Sequence, residues 1–241
     1  SGQLMETETS GQGAGVGDGV GDGVAEGVGD GAGVSVDLSV KFFSELVGSE
    51  LTARHFGVGN FFLPNDSKAH ERAKEFVRAT LGEAGFDTIF EREVPTDAKA
   101  INKRSQKYQL PIYQWVFLKN EGCKIQQFDR KIHDALLEIE AKAYTDNALA
   151  GFYPLSFSCR TQVLKGRLNS WEIIPYFCDL SNSSHEVSSL YFHTRFSTNT
   201  DPHPTMAQPF RLMAHNGELN TDKKNRLSET AVASAKNKSI I

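Results

Sequence analysis

Residues 191–220 read YFHTRFSTNTDPHPTMAQPFRLMAHNGELN, and in this stretch charge, hydroxyls, amides and glycine converge. If HTRFSTNT (193–200) is extended, period-two alternation places His193, Arg195, Ser197 and Asn199 on one face, with Thr198 three positions beyond Arg195. A guanidinium held on a strand is a rigid fork suited to a carboxylate. After the apolar run from Phe210 to Met213, residues 214–218 (AHNGE) bring the Asn216 amide beside the backbone N–H of Gly217. Such a pair can hold an oxyanion, with glycine allowing close backbone approach.

Working outward, the preceding chain reads as alternating strands and helices. Val34, Val36, Leu38 and Val40 alternate as a strand before an amphipathic helix through Phe42, Phe43 and Leu46. Residues 55–64 (HFGVGNFFLP) form a β-rich run ended by proline, whose glycines suit a bulge or close packing. Asp66 or Ser67 caps a helix with an apolar stripe through Ala69, Ala73, Phe76, Val77 and Leu81, and Gly82 or Gly85 stops it. Strands follow over 86–94 and 112–117, separated by a polar segment, Asp97 to Tyr108, that reads as a solvated loop or helix. Ile132, Leu136, Ile139 and Ala143 mark a helix over 128–144 with His133 at its surface. Two strands within 152–166 join through Arg160, and Asn169 or Ser170 caps a short helix over 171–177. Helices laid on a sheet in this order predict a layered α/β (α+β) domain.

The first 33 residues differ from the rest. Eleven of the chain's 21 glycines fall within 11–33, in a V-G-D-G pattern, and 1–33 hold six acids and no lysine or arginine. Such a segment buries little and loses much backbone entropy on ordering, so 1–28 are expected to be a low-complexity, disordered segment. No phosphate-loop pattern and no paired-glycine calcium repeat occurs in it. The formal net charge of −4 gives no basic patch for nucleic acid, and no run approaches the about 18 apolar residues of a membrane span. Cys123, Cys159 and Cys178 form no CxxC, so neither a disulfide framework nor a zinc site is indicated, and a reduced, cytoplasmic setting is expected. His193, His203 and His215 lack the partner spacing of a metal site.

HTRFSTNT, then AQPFR and AHNGELNT, together with GDGAG at 29–33, GVGNFFLP at 57–64, EREVPTD at 91–97 and FYPLSFSCRTQVLKG at 152–166, resemble the class II glutamine amidotransferase domain of the glutamate synthase large subunit. The resemblance covers 29–230 and implies a four-layer αββα sandwich of the N-terminal-nucleophile hydrolase type, occupying 29–241 and truncated at both ends. It implies that Arg195 grips the glutamine α-carboxylate, that Thr198 supports the polar end of the substrate, and that Asn216 and Gly217 hold the oxyanion. It also implies a parent enzyme that hydrolyses glutamine and delivers ammonia to 2-oxoglutarate. FMN, an iron–sulfur cluster, the synthase domains and a reductase subunit or ferredoxin would belong to other parts of that parent.

The family nucleophile is an N-terminal cysteine, and here Ser1-Gly2 leads into QLMETETSGQ rather than an apolar strand. Cys123, Cys159 and Cys178 read as buried or inert thiols. The family HRG motif and its later aspartate are not visible. Asp201-Pro202-His203-Pro204-Thr205-Met206 replaces the usual aromatic residues before AQPFR. The chain by itself is therefore expected to be inactive, and a glutamine-binding or interaction module without the thiol is the alternative.

Overall fold

A computed structural model describes residues 31–193 and 203–210. Their strands form two antiparallel sheets. The larger sheet has the order β3-β4-β2-β5, from β2 (Phe56–Phe62), β3 (Asp87–Glu93), β4 (Ile112–Leu118) and β5 (Tyr153–Ser158). The smaller is β6-β1-β7, from β1 (Ala32–Asp37), β6 (Thr161–Gly166) and β7 (Leu190–His193). The helices are α1 (Val40–Val47), α2 (Ser67–Glu83), α3 (Lys103–Gln106), α4 (Ile125–Thr145) and α5 (Ile173–Tyr176).

Local chemistry sets the ends of these elements. The Asp66 carboxylate accepts from the backbone N–H of Lys68 and Ala69, a cap worth about 1 kcal/mol. Ser39 caps α1, and its hydroxyl donates to Ser184 O at 2.9 Å, fixing the helix start to a distant loop. Gly48 ends α1 with φ 70°, a left-handed conformation that a residue without Cβ adopts freely.

All seven residues of β2 are buried, because β2 has a covered face on both sides. Toward α2 and α4, Phe61, Trp115, Phe117 and Phe157 pack with Ala73, Val77, Leu81, Phe128, Ile132 and Ile139. On the other face, Phe62, Ile112 and Leu155 meet Ala32, Val34, Val36 and Leu164 of the smaller sheet, while Val58 and Val116 meet Phe42 and Phe43 of α1. A helical layer, the four-stranded sheet and the three-stranded sheet thus lie in succession. Gly57 and Gly59 serve close packing: an added Cβ would lie 2.5 Å from the Phe117 ring and 2.7 Å from those of Phe157 and Phe61. The register also shifts between Asn60 and Phe61, the irregularity expected of that run.

The expected polar segment from Asp97 to Tyr108 does contain α3, but Ser105 within it is fully buried. Ala32 and Gly33, the last residues of the GDGAG motif, already belong to β1.

Candidate functional site

Between the two sheets runs a buried polar seam. Ser156, Asn60, Gln114 and Arg92 stand in register across β5, β2, β4 and β3, and the first three are almost wholly buried. Buried polar groups must be hydrogen-bonded or they destabilise the fold, and here the bonds close a ring. The Arg92 guanidinium donates to Gln114 Oε1 at 2.9 and 3.0 Å. Gln114 Nε2 donates to Asn60 Oδ1 at 2.9 Å and to Gln162 Oε1 at 3.2 Å. Asn60 Nδ2 donates to Val163 O at 3.1 Å. Gln162 Nε2 then lies 3.3 Å from His185 Nε2, which accepts, so that His185 Nδ1–H donates to Asp179 O at 3.1 Å. The Asp179 carboxylate is paired with Arg92, which returns the ring to its origin. Burial holds the His185 pKa below the ordinary histidine value, in keeping with a neutral ring.

His185 and β7 also line an apolar cavity of about 310 Å³, walled by Val34, Val36, Ile173 and Leu190 among others. Leu190, Tyr191 and Phe192 remain exposed at this edge of the smaller sheet.

The smaller sheet carries the second constellation at Gly33. Gly33 of β1 is in register with Lys165 on one side and His193 on the other. The chain leaves the described residues after His193 and is described again from His203, and Gln208 lies against the same glycine. A Cβ on Gly33 would sit 2.6 Å from Gln208 O and 2.5 Å from Lys165 Cβ, so only glycine permits this approach. Lys165 Nζ donates to the carbonyls of Thr205 and Ala207, at 2.9 Å each, and lies over the rings of Tyr153 and Phe210. The residue is 2% exposed, and burial pulls its pKa down to about 7. Burial also pushes the neighbouring Tyr153 hydroxyl up to about 12.

Arg195, Thr198, Asn216 and Gly217 lie outside the described residues, as does His215. The structure does position the strand that leads to Arg195 and the segment that precedes Asn216. Of the other candidates, His193 ends β7, and the exposed His203 accepts at Nδ1 from the Thr205 backbone N–H. Among the described residues no group of three His, Cys, Asp or Glu side chains could hold a metal ion. They therefore do not fit an iron–sulfur cluster.

Of the three cysteines expected to be buried or inert, Cys159 is buried, Cys123 partly buried and Cys178 exposed. Cys159 is buried and donates to Asp129 Oδ1 at 2.8 Å. Burial, reinforced by that carboxylate, pushes its pKa up to about 12, the opposite of an activated nucleophile. Sequence reading missed Lys165, Gly33 and the polar seam. A lysine in phase with Val163 on a strand was the available signal for the first.

A family model described as glutamine amidotransferases class-II matches residues 19–240. The chain belongs to this family. Among curated relatives of this amidotransferase chain, ferredoxin-dependent glutamate synthase 2 of Synechocystis sp. is 36% identical over 165 residues, covering 68% of this chain and 10% of that protein. The chloroplastic ferredoxin-dependent glutamate synthase of Spinacia oleracea is 34% identical over 168 residues, covering 69% and 10%. The glutamate synthase [NADPH] large chain of Azospirillum brasilense is 32% identical over 189 residues, covering 77% and 12%. The chain spans about a tenth of the length of these relatives. Among the described residues no helix is long and apolar enough to cross a membrane.

Proposed function

We propose that this chain is the glutamine-binding part of a glutamate synthase amidotransferase domain, whose parent hydrolyses glutamine and passes ammonia to 2-oxoglutarate. One observation carries the reading: β7, paired with β1, runs directly into the HTRFSTNT motif, and Gln208 of the AQPFR motif returns to the same strand. Arg195 would hold the substrate α-carboxylate through a bidentate fork and Thr198 its polar end. Asn216 and the Gly217 N–H would stabilise the oxyanion that forms when the amide is attacked. The domain extends over 29–241 after a low-complexity 1–28, and its complete form is the four-layer αββα sandwich, of which three successive layers occur among the described residues. In the parent, FMN and an iron–sulfur cluster supply the reductive half, with ferredoxin or a reductase subunit as electron source and the cytoplasm as the setting.

Cys159 favours a second part to this reading. A thiol that burial and the Asp129 carboxylate hold up at about 12 is not poised to start acyl transfer, which supports the reading that this chain alone binds glutamine without turning it over. Calorimetric titration with L-glutamine tests the binding, and treatment with diazo-oxo-norleucine tests the chemistry. Binding without covalent labelling is the expected result. Labelling of Ser1 or of Cys159 would overturn the assignment of both as non-catalytic, and no heat of binding would overturn the glutamine site.

A further inference from the structure

The polar seam runs in one direction only. Arg92 carries donors and no acceptor, so Gln114 must turn Oε1 toward it and Nε2 inward. Asn60 is pinned separately, because Val163 O can only accept and takes the Asn60 Nδ2 group at 3.1 Å. Gln114 Nε2 and Asn60 Nδ2 both donate to Gln162 Oε1, at 3.2 and 3.3 Å. Gln162 is left with Nε2 alone to offer His185. A proton on His185 Nε2 would set donor against donor. No series of amide flips relieves that clash, since each series ends on the Arg92 guanidinium or the Val163 carbonyl.

His185 is also where the segment 179–189 meets the seam. Its ring lies on that of Phe42 in α1, with centroids 4.7 Å apart, and with Leu180 and Val187 it lines the cavity of about 310 Å³. The segment's remaining ties run to β1 and α1. Ser39 Oγ donates to Ser184 O, Ser184 Oγ to Glu45, and Ser188 and Ser189 to Asp37, while Lys41 pairs with Glu186. Among the described residues, the charged groups on the elements around His185 are thus Arg92 of β3, Asp37 of β1, Lys41 and Glu45 of α1, and Asp179 and Glu186 of the segment itself. Glu172, ahead of α5, accepts from the Asn169 N–H. The strands β2, β4 and β6 present the neutral amides of Asn60, Gln114 and Gln162. Asp179 attracts a proton to the ring and Arg92 repels one, but those two are paired with each other, and burial holds the His185 pKa below the ordinary value.

We propose that His185 is an acid-sensitive latch: as the neutral ring it joins residues 179–187 to the seam, and a proton on Nε2 breaks that joint, loosens the segment and opens the cavity wall. In the loosened segment the imidazole regains the ordinary value of about 6.5. The closed form, with its lowered pKa, is therefore fully favoured above about pH 6.5. Below that, each pH unit shifts the balance toward the loosened form by up to about tenfold, until the closed-state ring itself titrates.

The test uses the full 241-residue chain as wild type, His185→Gln and Gln162→Glu, with circular dichroism as the check on folding. Nitrogen-15 NMR of the imidazoles reports the tautomer at pH 7.5. Amide hydrogen exchange over 180–189, corrected for the intrinsic pH dependence of exchange, reports the segment at pH 7.5 and 5.5. Carboxylates ordinarily titrate near pH 4, below this range. Wild type should carry the His185 proton on Nδ1 and lose protection about three- to tenfold at the lower pH. His185→Gln, which keeps a neutral acceptor for Gln162 Nε2, should change by less than about twofold. In Gln162→Glu the carboxylate accepts from Gln114, Asn60 and a protonated His185 alike, so the histidine pKa should rise above about 6.5 and acid should no longer loosen the segment.

A proton found on Nε2 at pH 7.5 would overturn the latch, as would wild-type protection that acid leaves unchanged. An equal acid loss in His185→Gln would place the titrating group elsewhere and overturn it too. If His185→Gln fails to fold, Gln162→Glu decides: acid loosening equal to that of wild type overturns the latch, and its absence upholds it.

Discussion

Replacing Asp179 by alanine probes the polar seam at its most demanding point. The Asp179 and Arg92 side chains are 7% and 15% exposed, so solvent screens their attraction little. Alanine leaves the guanidinium with its bonds to Gln114 Oε1 but without a counter-charge, 5.7 Å from the Phe42 ring. Breaking a buried pair by removing one partner costs about 3–5 kcal/mol, against a domain stability of about 5–15 kcal/mol. At about 2–4 °C per kcal/mol for a domain of this size, the melting temperature should fall by about 6–20 °C. Urea unfolding followed by tryptophan fluorescence measures the loss, with Trp115 fully buried as the reporter. The double variant Arg92→Met with Asp179→Leu should recover most of it, because it removes both charges and fills the space. A loss below about 1 kcal/mol in Asp179→Ala, the value of an exposed pair, would refute the closed ring.

Further predictions concern the surface, the glycines and the thiols. Asp129 accepts from Arg160, Cys159 and Arg54, and these bonds, that of Arg160 foremost, bring its pKa down to about 2. A depressed carboxylate stabilises the fold above its unfolded pKa. Asp129→Asn should therefore cost about 1 kcal/mol at pH 6, after allowance for the exposed arginines, and the gap should close as acid unfolding is followed from about pH 4 down to about pH 2. Gly57→Ala should destabilise by about 1–3 kcal/mol because its methyl meets the buried Phe117 ring. Gly82→Ala, in α2 with nothing within 4 Å, should instead stabilise by about 0.5–1 kcal/mol in the same denaturation series. Iodoacetamide at pH 8 should alkylate the exposed Cys178 long before Cys159, whose thiolate fraction there is about one in ten thousand. Peptide mapping that found Cys159 modified first would reverse that reading.

Much of the fold was legible because hydrophobic period and capping chemistry are local. Asp66 with the Ala73–Val77–Leu81 stripe announces α2, and Arg160 marks the turn between β5 and β6. The glycines of FGVGNFF read as serving a bulge or close packing, and Gly57 and Gly59 serve close packing. The site residues were legible as motifs, since HTRFSTNT and AHNGE concentrate their groups within a few positions.

What the chain order alone decided, then, is most of the strands and helices and the family to which HTRFSTNT, AQPFR and HNGE belong, but not every end: Val40, in phase with the strand residues before it, begins α1. Tertiary structure decided everything that depends on register. Asn60, Gln114, Arg92 and Gln162 are each an unremarked polar residue in a strand, and they become a hydrogen-bonded ring only because four strands align in one row and a second sheet covers it. Lys165 and Gly33, 132 positions apart, become neighbours by antiparallel pairing, and their chemistry comes from carbonyls that no side-chain pattern encodes. Periodicity specifies which face a residue takes, whereas its partner on that face is fixed only when the sheets close.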